Sequence, residues 1–75
     1  MTDTLELKII MLRNGYTVKS LAKHIGISAT SLSYKMNNKR EFMSCEIKAI
    51  QNALHLSNEQ RDFIFFAHDV DLKST

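Results

Sequence analysis

The chain has 75 residues, of which 44% are hydrophobic and 24% are charged, and its formal net charge is +2 at pH 7. A chain of this length forms one small domain and leaves little room for a deep catalytic pocket. Cys45 is the only cysteine and no Cys/His cluster accompanies it, which excludes an intramolecular disulfide and a structural zinc site.

The N-terminus does not have the pattern of an export signal. Asp3, Glu6 and Lys8 surround its short apolar run, whereas a signal peptide has a basic start followed by an apolar stretch. No run of apolar residues approaches the roughly 20 residues that a membrane-spanning helix needs. We therefore expect a soluble, cytoplasmic protein with no membrane partner.

The sequence predicts an all-α fold of five helices. It contains no proline and two glycines, and no segment alternates convincingly between apolar and polar residues. Helix one is predicted over about 4–13, with Leu5, Ile9 and Leu12 on one apolar face. Gly15 is expected to stop this helix, because glycine adopts the left-handed conformation that ends many helices.

Helices two and three are predicted to lie close together in the chain. Thr17 is the expected N-cap of helix two, which ends at Gly26, and Ser28 is the expected N-cap of helix three. The inner positions of the two helices are apolar: Leu21, Ala22 and Ile25, then Leu32 and Met36. Helix three is left with an outward face that consists of Ala29, Thr30, Ser33 and Tyr34.

Helices four and five follow a loop over residues 37–43. Ser44 is the expected N-cap of helix four, and Ser57 that of helix five, where Gln60 completes a capping box. The predicted inner stripes are apolar: Ile47, Ile50 and Leu54 in helix four, and Phe63, Phe66 and Ala67 in helix five. The domain is expected to cover residues 1–69, with a short polar tail over 70–75.

Ile64 and Phe65 do not fit the predicted inner stripe of helix five. One stripe cannot bury all the apolar residues of this segment, so these two side chains have two open interpretations. Either they pack against helix one or the tail within a small core, or they form an exposed patch. In the second case Ile64 and Phe65 are candidates for an interface with a second copy or with another protein.

The junction of helices two and three has the pattern of a helix-turn-helix. A steep turn of about three residues needs a small residue where the helices cross and a left-handed residue at the corner, and Ala22 and Gly26 occupy these places. Ile27 and Leu32 anchor the second helix. In this motif the N-terminal half of the second helix enters the DNA major groove.

The outward face of helix three suits contacts with DNA. Thr30 and Ser33 can exchange hydrogen bonds with base edges, Ala29 can touch a thymine methyl group, and Tyr34 can reach a base or a phosphate. Ser28 lies at the positive end of the helix, where a backbone phosphate is favoured. The polar side chains therefore indicate a nucleic-acid interface, although a solvated polar face remains the alternative.

Basic charge is concentrated around this motif. Residues 13–48 contain seven Lys or Arg and two Glu, a balance of +5, whereas the two ends together carry −3. Each true phosphate contact steepens the logarithmic salt dependence of binding by roughly 0.9. The candidates for such contacts are Lys19, Lys23, Lys35, Lys39 and Arg40, with Lys23 the most readily explained as a solvated charge.

The segment TVKSLAKHIGISATSLSYKMNNKREF resembles the core of the Cro/repressor-type helix-turn-helix family. The resemblance implies a compact five-helix DNA-binding domain, as in small Cro-like regulators of temperate bacteriophages, and a cytoplasmic location in the bacterial host cell. It also implies a double-stranded DNA operator and a role in a lysis/lysogeny-type switch. Carried over to this chain, the base-reading residues are Ala29, Thr30, Ser33 and Tyr34, and the phosphate contacts are Thr17, Lys19, Ser28, Lys35, Asn37, Asn38, Lys39 and Arg40.

The sequence departs from the family pattern in two respects. Lys35 stands where the family usually has an apolar residue, and Met36 is expected to take over its packing. The leading outward positions of helix three also lack the Arg, Gln or Asn side chains whose bidentate base contacts contribute roughly 1–3 kcal/mol of discrimination each. The resemblance therefore also admits a modulator of repression, which binds a partner phage repressor and has weak or no sequence-specific DNA binding.

No catalytic or cofactor site is expected. His24, His55 and His68 are spaced unlike the ligands of a single-helix metal site, and Cys45 is interpreted as a small packing residue. No pair of a nucleophile and a base stands out, which disfavours a hydrolase, the third possible function.

If the regulator is a dimer, it should bind two half-sites about 34 Å apart. The sequence leaves open whether the protein is a monomer or a dimer.

Overall fold

The structure is a computed structural model that describes the backbone of residues 2–74 and the side chains of residues 2–66. Its helices are α1 (Thr4–Arg13), α2 (Val18–Ile25), α3 (Ala29–Met36), α4 (Ser44–Leu54) and α5 (Asn58–Ser74). Residues 2–74 contain no strand. The predicted all-α fold of five helices is confirmed over this range, and α5 continues through residues 70–74, where a polar tail was predicted.

The helix starts follow the predicted caps with one exception. The hydroxyl oxygens of Thr17 and Ser28 each accept the N–H group three residues on, at 3.1 Å. Ser57 and Gln60 form a reciprocal capping box, with bonds of 2.9 and 3.1 Å. The prediction for Ser44 is wrong, because this residue is already helical and Met43 holds the N-cap position.

The core lies where the five helices meet. Helix α2 packs against α3 and α4, and α5 packs against α1 and α4. The Cα radius of gyration is 11.7 Å, close to the ~11 Å typical of a compact chain of this length. The predicted core residues of α2, α3 and α4 are mostly confirmed: Leu21, Ala22, Leu32, Met36, Ile50 and Leu54 are buried, while Ile25 and Ile47 are half-buried.

The side of helix α1 that packs against the core is opposite to the apolar face that the sequence suggested. Leu7, Ile10 and Met11 are buried, whereas Leu5 and Leu12 are 70% and 80% exposed, and Ile9, the third member of the predicted face, is 37% exposed. The helix carries apolar residues on both sides, so its periodicity does not decide which side is buried.

The prediction for α5 is reversed in the same way. Ile64 and Phe65 are buried, whereas Phe63 and Phe66, predicted to face the core, are 58% and 38% exposed. The Phe65 ring meets the Phe42 ring edge-on at 5.1 Å. Ile64 and Phe65 therefore belong to the core and cannot form an exposed patch. Ala67 lies outside the residues whose side chains the structure describes.

Candidate nucleic-acid interface

The turn between α2 and α3 is built around Gly26. This residue has a left-handed backbone with φ of +85°, and the N–H groups of Gly26 and Ile27 both donate to the carbonyl of Ala22 at 2.9 and 3.0 Å. A methyl group on Gly26 would meet no atom within 4 Å. Glycine is therefore favoured here by backbone conformation and not by space. The predicted left-handed corner is confirmed.

The inner side of α3 holds the helix against the body of the protein. Leu32 and Met36 are almost fully buried. Lys35 also lies on this side, because its ammonium group pairs with the Glu46 carboxylate of α4 at 2.5 Å, with the two side chains only 11% and 9% exposed. Lys35 is thus held in an ion pair and does not face outward as the predicted phosphate contact. The ion pair explains how a lysine is accommodated on the inner side of α3.

Glu46 links the start of α4 to the end of α3. One carboxylate oxygen accepts the Met43 N–H at 2.8 Å and the other accepts from Lys35. Burial would raise the pKa of Glu46, but the hydrogen bonds from Lys35 and Met43 and the charge on Lys35 outweigh it and lower the pKa. Glu46 is therefore ionised at neutral pH and fixes α3 against α4.

The outer side of α3 is polar and accessible. Thr30 is exposed and Tyr34 is 44% exposed, whereas Ser33 is half-buried. Ala29 is half-buried and packs against the core, so less of its methyl group is available than the sequence suggested. Asn37 extends this side by one turn, and its amide donates to the Ser33 carbonyl at 2.9 Å. Thr30, Tyr34 and Asn37 therefore form most of the accessible outer side.

The N-termini of α2 and α3 carry exposed hydroxyl caps. Besides capping α2, Thr17 donates its N–H to the Ser20 hydroxyl at 2.9 Å. Ser28 donates its own hydroxyl to Ser31 at 2.9 Å. Both caps are exposed, and the positive end of a helix favours an anion. Both ends are thus accessible to a phosphate group.

The loop after α3 places basic side chains beside the outer side of that helix. Lys39 lies with its ammonium nitrogen 5.7 Å from the centre of the Tyr34 ring, a cation–π contact. Arg40 is exposed, as are Lys19 and Lys23 on α2. Lys39 and Tyr34 are therefore brought together, a contact that the sequence analysis did not find.

Asn38 has a structural contact that the predicted phosphate role did not include. It has a positive φ of 63°. Its amide oxygen accepts the Thr2 N–H at 2.7 Å and its amide nitrogen donates to the Thr2 carbonyl at 3.1 Å. Thr4 also donates its hydroxyl to the Met36 carbonyl. These bonds connect the start of the chain to the end of α3. Both polar atoms of the Asn38 amide are therefore already hydrogen-bonded within the protein.

The cysteine and histidine side chains lie on different elements: Cys45 on α4, His24 on α2 and His55 at the end of α4. Cys45 is exposed, so its predicted packing role is wrong. The His24 ring contacts the Tyr16 ring edge-on at 5.8 Å, and His55 ends α4 with a left-handed backbone; the side chain of His68 lies outside the described residues. Among the described residues, no three His, Cys, Asp or Glu side chains are grouped as metal ligands would be. None of the described helices is long and apolar enough to cross a membrane.

Comparison of the chain with family models, with curated proteins and with solved structures finds no match.

Proposed function

We propose that the protein is a DNA-binding transcriptional regulator of the Cro-like, phage-switch type, in which α2 and α3 act as a helix-turn-helix. The main support is the outer side of α3, where Thr30, Tyr34 and Asn37 are exposed on a helix whose other side is anchored by Leu32 and Met36. A helix held in this way can enter the major groove of an operator without exposing apolar side chains.

The electrostatics favour the same surface. The ends of α2 and α3 offer two sites for backbone phosphates at Thr17 and Ser28, and Lys19 and Arg40 are exposed on the flanking segments. Phosphate contacts of this kind fix the position of a protein on DNA but do not read its sequence. In the proposed complex these groups supply affinity, and Thr30, Ser33 and Tyr34 supply base contacts.

Base discrimination should be moderate. Hydroxyl groups donate and accept hydrogen bonds, so Thr30 and Ser33 are compatible with several base edges, in contrast to a bidentate Arg with guanine. The Lys39 ammonium group lies over the Tyr34 ring. This contact restricts the Tyr34 side chain before DNA binds, so less conformational entropy is lost on binding. We therefore expect specific affinity to exceed non-specific affinity by a modest factor, with a large salt-dependent component.

The test is a fluorescence anisotropy titration against the promoter DNA beside the protein's own gene, with an unrelated duplex for comparison. Thr30→Glu should abolish the preference for the promoter, because it places a negative charge in the groove. Ser44→Glu is the matched control, since it adds the same charge to the exposed first turn of α4. Equal binding by wild-type protein and Thr30→Glu would overturn the proposal, as would equal weakening by both variants.

A second candidate function is modulation of repression through a partner phage repressor. It is favoured by a groove of about 520 Å³ between α4 and α5, where Ile47 and Phe66 lie beside Lys48 and Arg61. An apolar surface with basic neighbours suits a protein partner with acidic and apolar side chains. Co-purification with the repressor encoded beside the gene, lost in Phe66→Ser, would support it. Failure of the wild-type proteins to associate would contradict it.

A further inference from the structure

The outer side of α1 is an apolar stripe formed by Leu5, Ile9 and Leu12. The two leucines are 70% and 80% exposed, and Ile9 is 37% exposed. Their spacing of four and then three residues is that of one coiled-coil seam. Because Leu7 and Met11 fill the core from the opposite side, the stripe is not needed for the packing of the domain. A row of apolar side chains that the fold leaves uncovered is a candidate for contact with another molecule.

Charges flank the stripe unevenly. Glu6 and Arg13 are seven residues apart, two helical turns, and therefore lie on the same flank. Lys8 lies on the other flank and is exposed. In an antiparallel pair of identical helices, each flank meets the same flank of the other copy. A flank with an acidic residue at one end and a basic residue at the other is therefore complementary to itself.

We propose that this stripe binds a second copy of the chain through antiparallel pairing of the two α1 helices. With the two-fold axis near Ile9, Leu5 of each copy packs against Leu12 of the other. The same register brings Glu6 of each copy beside Arg13 of the other, so the ion pair forms twice. The two Lys8 side chains meet on the other flank, where their long stems can cover the leucines while the ammonium groups stay in water.

The match with an identical helix favours a second copy over an unrelated partner. A two-fold interface requires a surface that is complementary to itself. The leucine contacts and the Glu6–Arg13 contacts satisfy this condition, whereas the two Lys8 ammonium groups repel each other and must stay in water. Three apolar side chains per copy form a small interface, so we expect association at micromolar and not nanomolar concentration. The proposal goes beyond DNA binding, since no residue of α3 takes part.

The test is sedimentation equilibrium of the full chain without DNA, from micromolar concentration to about 1 mM. Leu12→Ser should abolish dimers. Glu6→Arg and Arg13→Glu should each weaken dimerisation by about tenfold, because each single change turns two attractive pairs into repulsive ones. The double variant Glu6→Arg/Arg13→Glu should restore it. Met43→Ser, which changes an exposed apolar residue outside the stripe, is the control and should leave dimerisation unchanged.

Several outcomes would overturn the proposal. A monomeric wild-type chain over the whole concentration range excludes a second copy as the occupant. Dimers that survive Leu12→Ser, or that are lost in Met43→Ser, place the interface elsewhere. A double charge variant as weak as the single variants contradicts the antiparallel register. Because all samples lack DNA, these outcomes are distinct from failure of the DNA-binding proposal, which the anisotropy titration measures separately.

Discussion

Helices α1 and α3 both bury one side and expose the other, but their exposed sides have opposite chemistry. Leu5 and Leu12 dominate the exposed side of α1, and Thr30 and Tyr34 that of α3. The free energy falls when another apolar surface covers an exposed apolar side, whereas a hydroxyl-bearing side exchanges hydrogen bonds with a polar partner. The two helices therefore suit different partners: protein for α1 and nucleic acid for α3.

The largest expected effects come from the buried sides of these helices. Leu7 in α1 and Leu32 in α3 are fully buried, so replacing either by alanine should lower the free energy of unfolding by about 3 kcal/mol. The matched exposed changes Leu12→Ala and Thr30→Ala should each alter it by less than about 0.5 kcal/mol. Urea denaturation measures all four. A large loss in Leu12→Ala would mean that the outer side of α1 contributes to the fold.

The next effect concerns the ion pair that holds α3 in place. Glu46→Gln removes the charge opposite Lys35 in a site that is about nine-tenths buried, so it should cost about 2 kcal/mol. Lys35→Met, which removes the other partner but fills the same space, should cost less than Lys35→Ala. Urea denaturation at neutral pH compares the three variants. Equal stability of wild type and Glu46→Gln would show that the pair does not stabilise α3.

The lowered pKa of Glu46 also makes the stability of the protein depend on pH. The folded pKa of Glu46 lies below its ordinary value of 4.5, so the unfolded chain takes up the proton first as pH falls. The stabilisation is therefore complete above the ordinary pKa and is lost as pH falls through the folded pKa. Thermal unfolding from pH 7 downward should show a smaller acid loss for Glu46→Gln than for wild type. Parallel losses in the two proteins would contradict this role of Glu46.

A smaller effect is expected at the corner between α2 and α3. Gly26→Ala introduces no steric contact but leaves a side chain at φ of +85°, so it should cost about 1 kcal/mol. Gly15, at φ of +75° and also in open space, provides the matched control that does not join α2 to α3. Both alanine variants should lose similar stability by urea denaturation, but only Gly26→Ala should also weaken DNA binding. Equal DNA affinity for both variants would contradict the role assigned to the corner.

The smallest expected effect on stability is at Lys39. Because this side chain is exposed and its ammonium group lies over the Tyr34 ring, Lys39→Ala should change the free energy of unfolding by less than about 0.5 kcal/mol. If Lys39 contacts a phosphate, the slope of log affinity against log salt should become shallower by about 0.9. Lys8→Ala on α1 is the control and should leave the slope unchanged. A shallower slope in both variants would mean that only net charge matters.

The sequence predicted the elements of this fold better than it predicted their orientations. A capping side chain is a local signal of a helix start, so Thr17, Ser28 and Ser57 could be identified as N-caps from the sequence. The buried side of α1 could not be identified, because Leu5 and Leu7 are equally apolar and only the packing of α1 into the common core selects between them. For the same reason Ile64 and Phe63 exchanged places in the prediction for α5.

The candidate interface was predictable to a similar extent. The exposure of Thr30 and Tyr34 follows from their spacing relative to Leu32 and Met36, which periodicity reveals. The pairing of Lys35 with Glu46 joins residues from different helices, and a charged residue at an inner position gives no signal of its partner. The bonds between Asn38 and Thr2 span 36 residues, a separation beyond the reach of local patterns.

The most direct test of the role proposed for α3 is an NMR titration of the ¹⁵N-labelled protein with its promoter DNA. If α3 enters the major groove, the amide signals of residues 17–20 and 28–40 should shift most, and those of residues 58–62 should remain in place. Maximal shifts at α5, or saturation of the protein without shifts over residues 28–40, would contradict the assignment of α3 as the DNA-reading helix.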